Sequence, residues 1–264
     1  TKKKKVVIVG GGPAGMEAAR VAKIKGHDVV LFEKETTLGG QLNIAALPPR
    51  KSEMNRGIHY LTNEMKVLDI DLRLGHEVCP KCVIDENPDA VIVAVGASNI
   101  IPAIKGCDLP HVYDAWKVLN HEQLPSGKVV VIGGGLVGAE TAELLAQNGC
   151  EVSIVEMMDT IAKEESTTVR PIMMADFEKH DVQQFTKTKV TSITSTAVEA
   201  ENDKGVILLP CDYVVLAVGA KPNAFDITPL IEKGIDVYVA GDCHERAADI
   251  NRAVEEGYLA ANVI

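Results

Sequence analysis

The sequence predicts an α/β protein of two doubly wound, parallel-sheet domains, the second inserted into the first. Three observations predict it: apolar runs that stop at glycine turns, a helical pattern after each turn, and a second copy of the unit at a constant offset. Val6-Val-Ile-Val-Gly-Gly-Gly-Pro-Ala-Gly15 returns as Val129-Val-Val-Ile-Gly-Gly-Gly-Leu-Val-Gly138, 123 residues on. Over residues 6–33 and 129–156, 11 of 28 positions are identical, and the same offset maps Val91–Ala97 onto Val214–Ala220. An offset kept from the start of a unit to its end means two copies of one domain, not a short-period solenoid.

Each unit begins with four apolar residues, Val6–Val9 or Val129–Ile132, which read as a parallel strand buried on both faces. After the glycine turn, Pro13–Lys25 and Leu136–Asn148 read as helices stopped by Gly26 and Gly149. A second apolar strand then ends in an acid, Glu33 or Glu156, and its crossover is right-handed. Between these openings the signals are weaker. Ala45–Arg50, with Pro48-Pro49, reads as loop, and Ser52–Lys66 reads as helix. Leu109–Gly127, with two prolines, reads as an inter-domain connection holding Trp116. Residues 182–215 alternate Val, Ile and Thr with polar residues, so antiparallel strands are expected there. Lys221-Pro-Asn223 reads as a connection back to the first domain. The expected domains are 1–108 with 223–264, and 109–222.

Composition narrows the function classes. Lys and Arg number 27 against 37 Asp and Glu, a net charge of −10, which disfavours nucleic acid and anionic membranes. Aromatic residues are 4%, too few for a base-stacking platform. No run approaches the ~18 apolar residues of a membrane span, and no secretory signal precedes Val6. Six scattered cysteines suggest a reducing compartment, the cytoplasm. The first residue is Thr1, as in a fragment or a processed product.

The glycine turns assign a chemistry. Gly10 permits the tight turn, Gly12 lets the backbone approach a pyrophosphate, and Gly15 lets the helix pack close to the strand. The helix start, at Pro13 and Ala14, offers free amides and partial positive charge to phosphates. Glu33, with Lys34 beside it, lies at the strand end, where a carboxylate accepts from ribose hydroxyls. Gly133, Gly135, Leu136, Val137, Gly138 and Glu156 repeat the set. These are Rossmann-like dinucleotide sites. Glu156 would repel the 2′-phosphate of NADP, and Met157 and Met158 supply no cation, so NADH is expected over NADPH.

Two such domains, one split by the other, resemble the two-dinucleotide-binding-domain flavoprotein reductases over essentially the whole chain. The resemblance makes the first domain the FAD domain and the second the NADH domain. Val237-Tyr-Val-Ala-Gly-Asp242 and the helix after it are similar to the segment that completes that family's FAD domain. It implies that Gly241 and Asp242 reach the ribityl chain and that Ile250 and Asn251 start a helix near the flavin pyrimidine. Ala94-Val95-Gly96 and Val218-Gly219 resemble the family's internal Ala-Thr-Gly motif, with valine in place of threonine. Leu38-Gly-Gly-Gln-Leu-Asn-Ile-Ala-Ala-Leu-Pro-Pro49 and Gly75-His-Glu-Val78 resemble the C-terminal reductase half of the old-yellow-enzyme-like dienoyl-CoA reductase, enoate reductase and trimethylamine dehydrogenase group. That likeness implies Gly40, Gln41, Leu42 and Arg50 along FAD, and Val78 holding the adenine through its backbone. It also implies a partner: an N-terminal barrel with FMN and an iron–sulfur cluster, which receives electrons and reduces an enoate or enoyl-CoA type substrate. An oligomer is left open.

Cys79-Pro-Lys-Cys82 has three readings: an ordinary surface loop, a redox dithiol, or half of a metal site helped by His76. No second pair supplies the four ligands of structural zinc, so no metal is expected. Hydride passes between cofactor rings that the protein positions, so no catalytic acid or base is named. Two alternatives stay open, an ADP-binding module without hydride transfer and a thiol–disulfide reductase using Cys79 and Cys82. A free-standing NADH oxidase or ferredoxin-type reductase is disfavoured by the Gly39-Gly-Gln-Leu-Asn43 segment.

Overall fold

The computed structural model describes residues 2–264. The chain divides into two compact units, one of Thr1–Ala46, Ser52–Ser98 and Ala220–Ile264, the other of Leu47–Lys51 and Asn99–Gly219.

In chain order the first stretch holds β1 (Lys5–Val9), α1 (Pro13–Ile24), β2 (Asp28–Glu33), α2 (Gln41–Ala45), α3 (Met54–Val67), β3 (Asp71–Leu74), α4 (Pro80–Asp85), β4 (Ala90–Val93) and β5 (Ala97–Asn99). The middle stretch holds β6 (Val112–Asp114), α5 (Ala115–Leu119), β7 (Lys128–Ile132), α6 (Leu136–Gln147), β8 (Glu151–Val155), α7 (Arg170–Lys179), β9 (Gln183–Phe185), β10 (Lys189–Ile193), β11 (Ala197–Asn202), β12 (Gly205–Pro210) and β13 (Tyr213–Leu216). The return holds β14 (Ala220–Pro222), α8 (Thr228–Glu232), β15 (Asp236–Val239) and α9 (Ile250–Asn262).

The first unit is built on a parallel sheet of order β15-β4-β1-β2-β3. Its inner strands β1, β2 and β4 are apolar runs because both faces are covered. Val6, Ile8, Leu31 and Ile92 pack under α1, α3 and α9, whereas Val7, Val9, Val30 and Val93 pack with Val83 of α4 and Leu230 of α8. The chain reverses direction across the sheet between β1 and β4, and α1 begins there, at the place where open α/β sheets bind ligands.

The second unit repeats the plan as β6-β13-β7-β8-β9, again parallel. One face packs on α6 and α7 through Val129, Val131 and Ile154. The other carries Val130, Ile132 and Val155 against Val190, Ile193 and Val198 of the antiparallel sheet β10-β11-β12.

Two expectations change. Residues 182–215 are antiparallel only over β10–β12; β9 and β13 join the parallel sheet. The physical sign is in the residues, since Val214-Val-Leu216 is a solid apolar run, as a two-face-buried strand requires. Leu109–Gly127 is more than a connection. Val112 and Tyr113 form the edge strand beside β13, and the Asp114 carboxylate caps α5 by accepting from the Trp116 and Lys117 amides at 2.9 and 3.1 Å.

Residues 99–108 cluster with the second unit for visible reasons. The Asn99 side-chain amide donates to the Asp114 carboxylate at 2.7 and 2.8 Å, the Ile100 amide donates to Gly219 O at 2.9 Å, and Lys105 bridges to Ser192.

Candidate dinucleotide sites

Gly10 sits at φ +110°, and a Cβ there would lie 2.2 Å from Ala94 O. Both conditions exclude any side chain. At Gly15 a Cβ would meet Gly10 O at 1.9 Å, so only glycine lets α1 close on the turn. Gly12 differs: a Cβ there would meet nothing within 4 Å. That open space lies at the start of α1, which has no side-chain cap and no acid in its first turn. Uncapped amides facing open space fit a phosphate. The second turn behaves alike. A Cβ on Gly133, at φ +100°, would lie 2.3 Å from Ala217 O; one on Gly138 would lie 1.9 Å from Gly133 O; one on Gly135 would meet nothing within 4 Å. The start of α6 is also uncapped and free of acids.

The two acids are held in one geometry. Glu33 accepts from the Gly11 amide at 2.6 Å with Oε2 and from the Glu35 amide at 2.8 Å with Oε1. Glu156 accepts from Gly134 at 2.6 Å and from Met158 at 2.7 Å. A carboxylate oxygen can accept more than one hydrogen bond, so these amides do not exhaust either acid. The middle glycines, Gly11 and Gly134, are the residues that motif reasoning passed over. A Cβ on Gly11 would strike Leu38 Cδ2 at 2.5 Å, and one on Gly134 would strike Ile161 Cδ1 at 2.6 Å. The loop after each acid is tied to the same glycine, by Gly39 N–H to Gly11 O at 2.9 Å and by Ala162 N–H to Gly134 O at 2.7 Å. The offset of 123 residues therefore holds in space where the residue types no longer match. The signal was present as three consecutive glycines in both copies.

Other residues gather at the first turn. A Cβ on Gly40 would lie 3.1 Å from Gly12 Cα, and one on Gly96 would lie 3.3 Å from Gln41 Nε2. This puts Gly40, Gln41 and the Ala94–Gly96 corner beside the glycines, with Leu42 buried beneath. Asn223 steadies the corner by donating its amide to Gly96 O and its side chain to Val95 O, both at 2.9 Å. A Cβ on Gly241 would lie 2.9 Å from Ala14 Cβ, so Gly241 and Asp242 reach the start of α1. Burial pushes the Asp242 carboxyl up, and the Ala248 amide at 2.9 Å with the Gln41 side chain pulls it partly back. Glu256 accepts from the Gly241 amide at 2.8 Å and from Arg252 at 2.7 Å. Burial opposes its charge, but those donors hold its carboxyl below the usual range. Ile250 and Asn251 open α9 behind Asp249, whose carboxylate caps the helix through Arg252 N–H at 2.9 Å. Lys34 is exposed, and Val78 is half-buried against the β1 face that carries Val7.

Arg50 falls in the short segment that clusters with the second unit. Its guanidinium pairs with Glu143 and, at 3.1 Å, with Asp176. Lys51 pairs with Glu140 and lies 3.7 Å from Glu165. Burial pushes the Glu140 and Glu143 carboxyls up, and the two cations only partly offset it. Ionic pairing inside the second unit is thus the role the structure shows for Arg50.

Two parallel sheets, each with a bare helix start, an open second glycine and an acid clamped at the end of the next strand, have the geometry of two dinucleotide sites. The chain belongs to the pyridine nucleotide-disulphide oxidoreductase family, whose defining pattern matches residues 4–257. It is 71% identical over 263 residues to a bilirubin reductase of Mediterraneibacter gnavus, covering 100% of this chain and 41% of that protein. It is 40% identical over 265 residues to an NADH oxidase of Thermoanaerobacter brockii, covering 98% and 41%. Among solved structures, a 2-naphthoyl-CoA reductase complexed with 2-naphthoyl-CoA superposes with a TM-score of 0.93 at 29% identity, covering 100% of this chain and 40% of that one. The chain thus spans about two fifths of the length of these relatives. Its likeness is to the FAD- and NAD(H)-binding portion of old-yellow-enzyme-like enzymes, as the Leu38–Pro49 and Gly75–Val78 segments led one to expect. Members of this family bind FAD and NAD(H), and these are the two cofactors of this chain. Among the described residues no helix is long and apolar enough to cross a membrane.

Proposed function

We propose that the first unit is the FAD domain and the second, inserted into it, the NADH domain of a reductase. The observation that carries this is the clamped acid over an open glycine turn, present twice. In the first unit Gly10, Gly12 and Gly15 with the α1 amides would hold the FAD pyrophosphate, Glu33 the adenosine ribose, and Asp242 the ribityl hydroxyls. Gly40, Gln41 and the Ala94–Gly96 corner would border the same cofactor. In the second unit Gly133, Gly135, Gly138, Glu156 and the Val218-Gly219 corner would hold NADH. Bound FAD supplies the redox centre that takes hydride from NADH. Glu156 sets the preference for NADH, because its charge opposes a 2′-phosphate. Electrons would pass onward to an FMN and iron–sulfur barrel, and the substrate would be an activated alkene of the enoate or enoyl-CoA class. The relatives support this part, since their names include bilirubin reductase, cinnamate reductase and 2-naphthoyl-CoA reductase and this chain spans only a portion of each.

The test is an absorbance spectrum of the purified protein before and after anaerobic NADH. A flavin band near ~450 nm that bleaches with NADH, and much less with NADPH, is expected. No flavin band after FAD is added would overturn the reading and leave a module that binds only ADP.

A further inference from the structure

The dinucleotide sites leave one chemically capable pair unused. Beyond β3, Cys79 ends an extended segment and caps α4, with Pro80 in the first turn, and Cys82 follows within that turn. Both thiols are exposed. Their sulfurs lie 3.0 Å apart, and the Cys82 amide donates to Cys79 Sγ at 3.4 Å. That separation is within about 1 Å of a bonded pair. The other four thiols are unlike them. Cys150 and Cys211 are buried, and burial pushes both up, Cys211 to about 11. Cys107 and Cys243 are half-buried, and burial also raises Cys243, whose sulfur points at Val93 O and Ala240 O.

We propose that Cys79 and Cys82 form a thiol–disulfide exchange site that reacts with low-molecular-weight disulfides and thiols, separately from hydride transfer. Cys79 is the attacking sulfur. Its thiolate displaces one thiolate from an external disulfide and becomes a mixed disulfide. The Cys82 thiol loses its proton to solvent and its sulfur attacks Cys79 Sγ, closing the Cys79–Cys82 bond and releasing the second external thiolate. The two released thiolates take up two protons, so a protein dithiol and an external disulfide become a protein disulfide and two external thiols. Excess thiol runs the sequence backward. The roles follow from the geometry: Cys79 accepts the amide hydrogen bond, while Cys82 lies in the first turn and faces it. The hydrogen bond from the Cys82 side chain, then the Cys82 amide, holds the Cys79 thiol below its ordinary range, which favours the thiolate.

The experiment uses the FAD-loaded protein, oxidised glutathione as the probe, and mass spectrometry of alkylated peptides. The wild type should gain an intramolecular Cys79–Cys82 disulfide, with the other four cysteines still free, and lose it in excess reduced glutathione. Cys82→Ser should accumulate a mixed disulfide on Cys79, and should form it several-fold faster than Cys79→Ser forms one on Cys82. The same samples should bleach with NADH as the wild type does, so failure here is distinct from failure of the reductase reading. A wild-type dithiol that survives oxidised glutathione would overturn the proposal. So would equal reactivity of the two single variants, or wild-type thiols that a zinc chelator must first release before they react.

Discussion

Replacing Glu156 with Gln tests the second dinucleotide site most directly, because the carboxylate has two separable duties. Toward the cofactor, its proposed duty is to be a charged acceptor for the ribose hydroxyls. Hydrogen bonds to charged groups contribute about 1.5–3 kcal/mol and neutral ones about 0.5–1.5, so losing the charge removes about 1–2 kcal/mol from NADH binding. At about 1.4 kcal/mol per decade this is roughly a 5- to 30-fold rise in Kd. Toward the protein, both oxygens already accept backbone amides, Gly134 at 2.6 Å and Met158 at 2.7 Å. A glutamine can keep its oxygen on the buried Gly134 amide and turn its NH2 toward the exposed Met158 amide, which water can satisfy, so thermal stability should fall by no more than about 1 kcal/mol. NADPH should not weaken in step, since the repelling charge is gone, so the NADH-to-NADPH preference narrows. The assay titrates each nucleotide anaerobically onto flavin already reduced, so that no hydride moves, and follows binding by calorimetry beside a thermal melt. An NADH affinity unchanged within about twofold, with NADPH still rejected, would refute the assignment of Glu156 to the ribose.

Three further outcomes follow from the geometry. Gly12→Ala should fold with the wild-type apo melting temperature, because its Cβ meets nothing within 4 Å, yet should lose FAD by blocking the pyrophosphate; Gly15→Ala, whose Cβ would lie 1.9 Å from Gly10 O, should lose both FAD and roughly 1–3 kcal/mol of stability. Flavin content after gel filtration and apo-protein melts separate the two cases. Lys51→Met leaves Glu140 buried without its cation, a loss of about 3 kcal/mol near neutral pH. Because the folded carboxyl is raised, the folded state keeps a proton that the unfolded chain releases. The deficit should therefore grow as pH rises from the unfolded carboxylate range through the folded value, and fade in acid. Melts in mildly acidic and neutral buffer check it, and a deficit independent of pH would contradict the assignment. Glu33→Gln should mirror Glu156→Gln at the first unit, weakening FAD retention while leaving NADH affinity unchanged in protein resupplied with FAD.

The openings of both units were legible because their signals are local. A strand buried on both faces must be apolar throughout, a turn at φ of +100° or more must be glycine, and an acid at the end of the next strand is fixed by the length of one strand–helix–strand crossover. These demands recur at a constant spacing, so the repeat was readable in Val6–Glu33 and Val129–Glu156 without coordinates. The tertiary structure decided what depends on distant partners. Gly11 and Gly134 look like spacers in the motif, yet each takes its acid from 22 residues away and the loop beyond it. Val112 and Tyr113 have no strand pattern of their own and become a strand only beside β13. Arg50 finds Glu143 across 93 residues, a pairing that no periodicity encodes. The spacing of Cys79 and Cys82 had three meanings in the sequence, and only the folded chain shows their sulfurs 3.0 Å apart. Backbone conformation and burial periodicity are written residue by residue, whereas a side chain's partner is set by chain closure, which brings together groups whose separation in sequence carries no record of the contact.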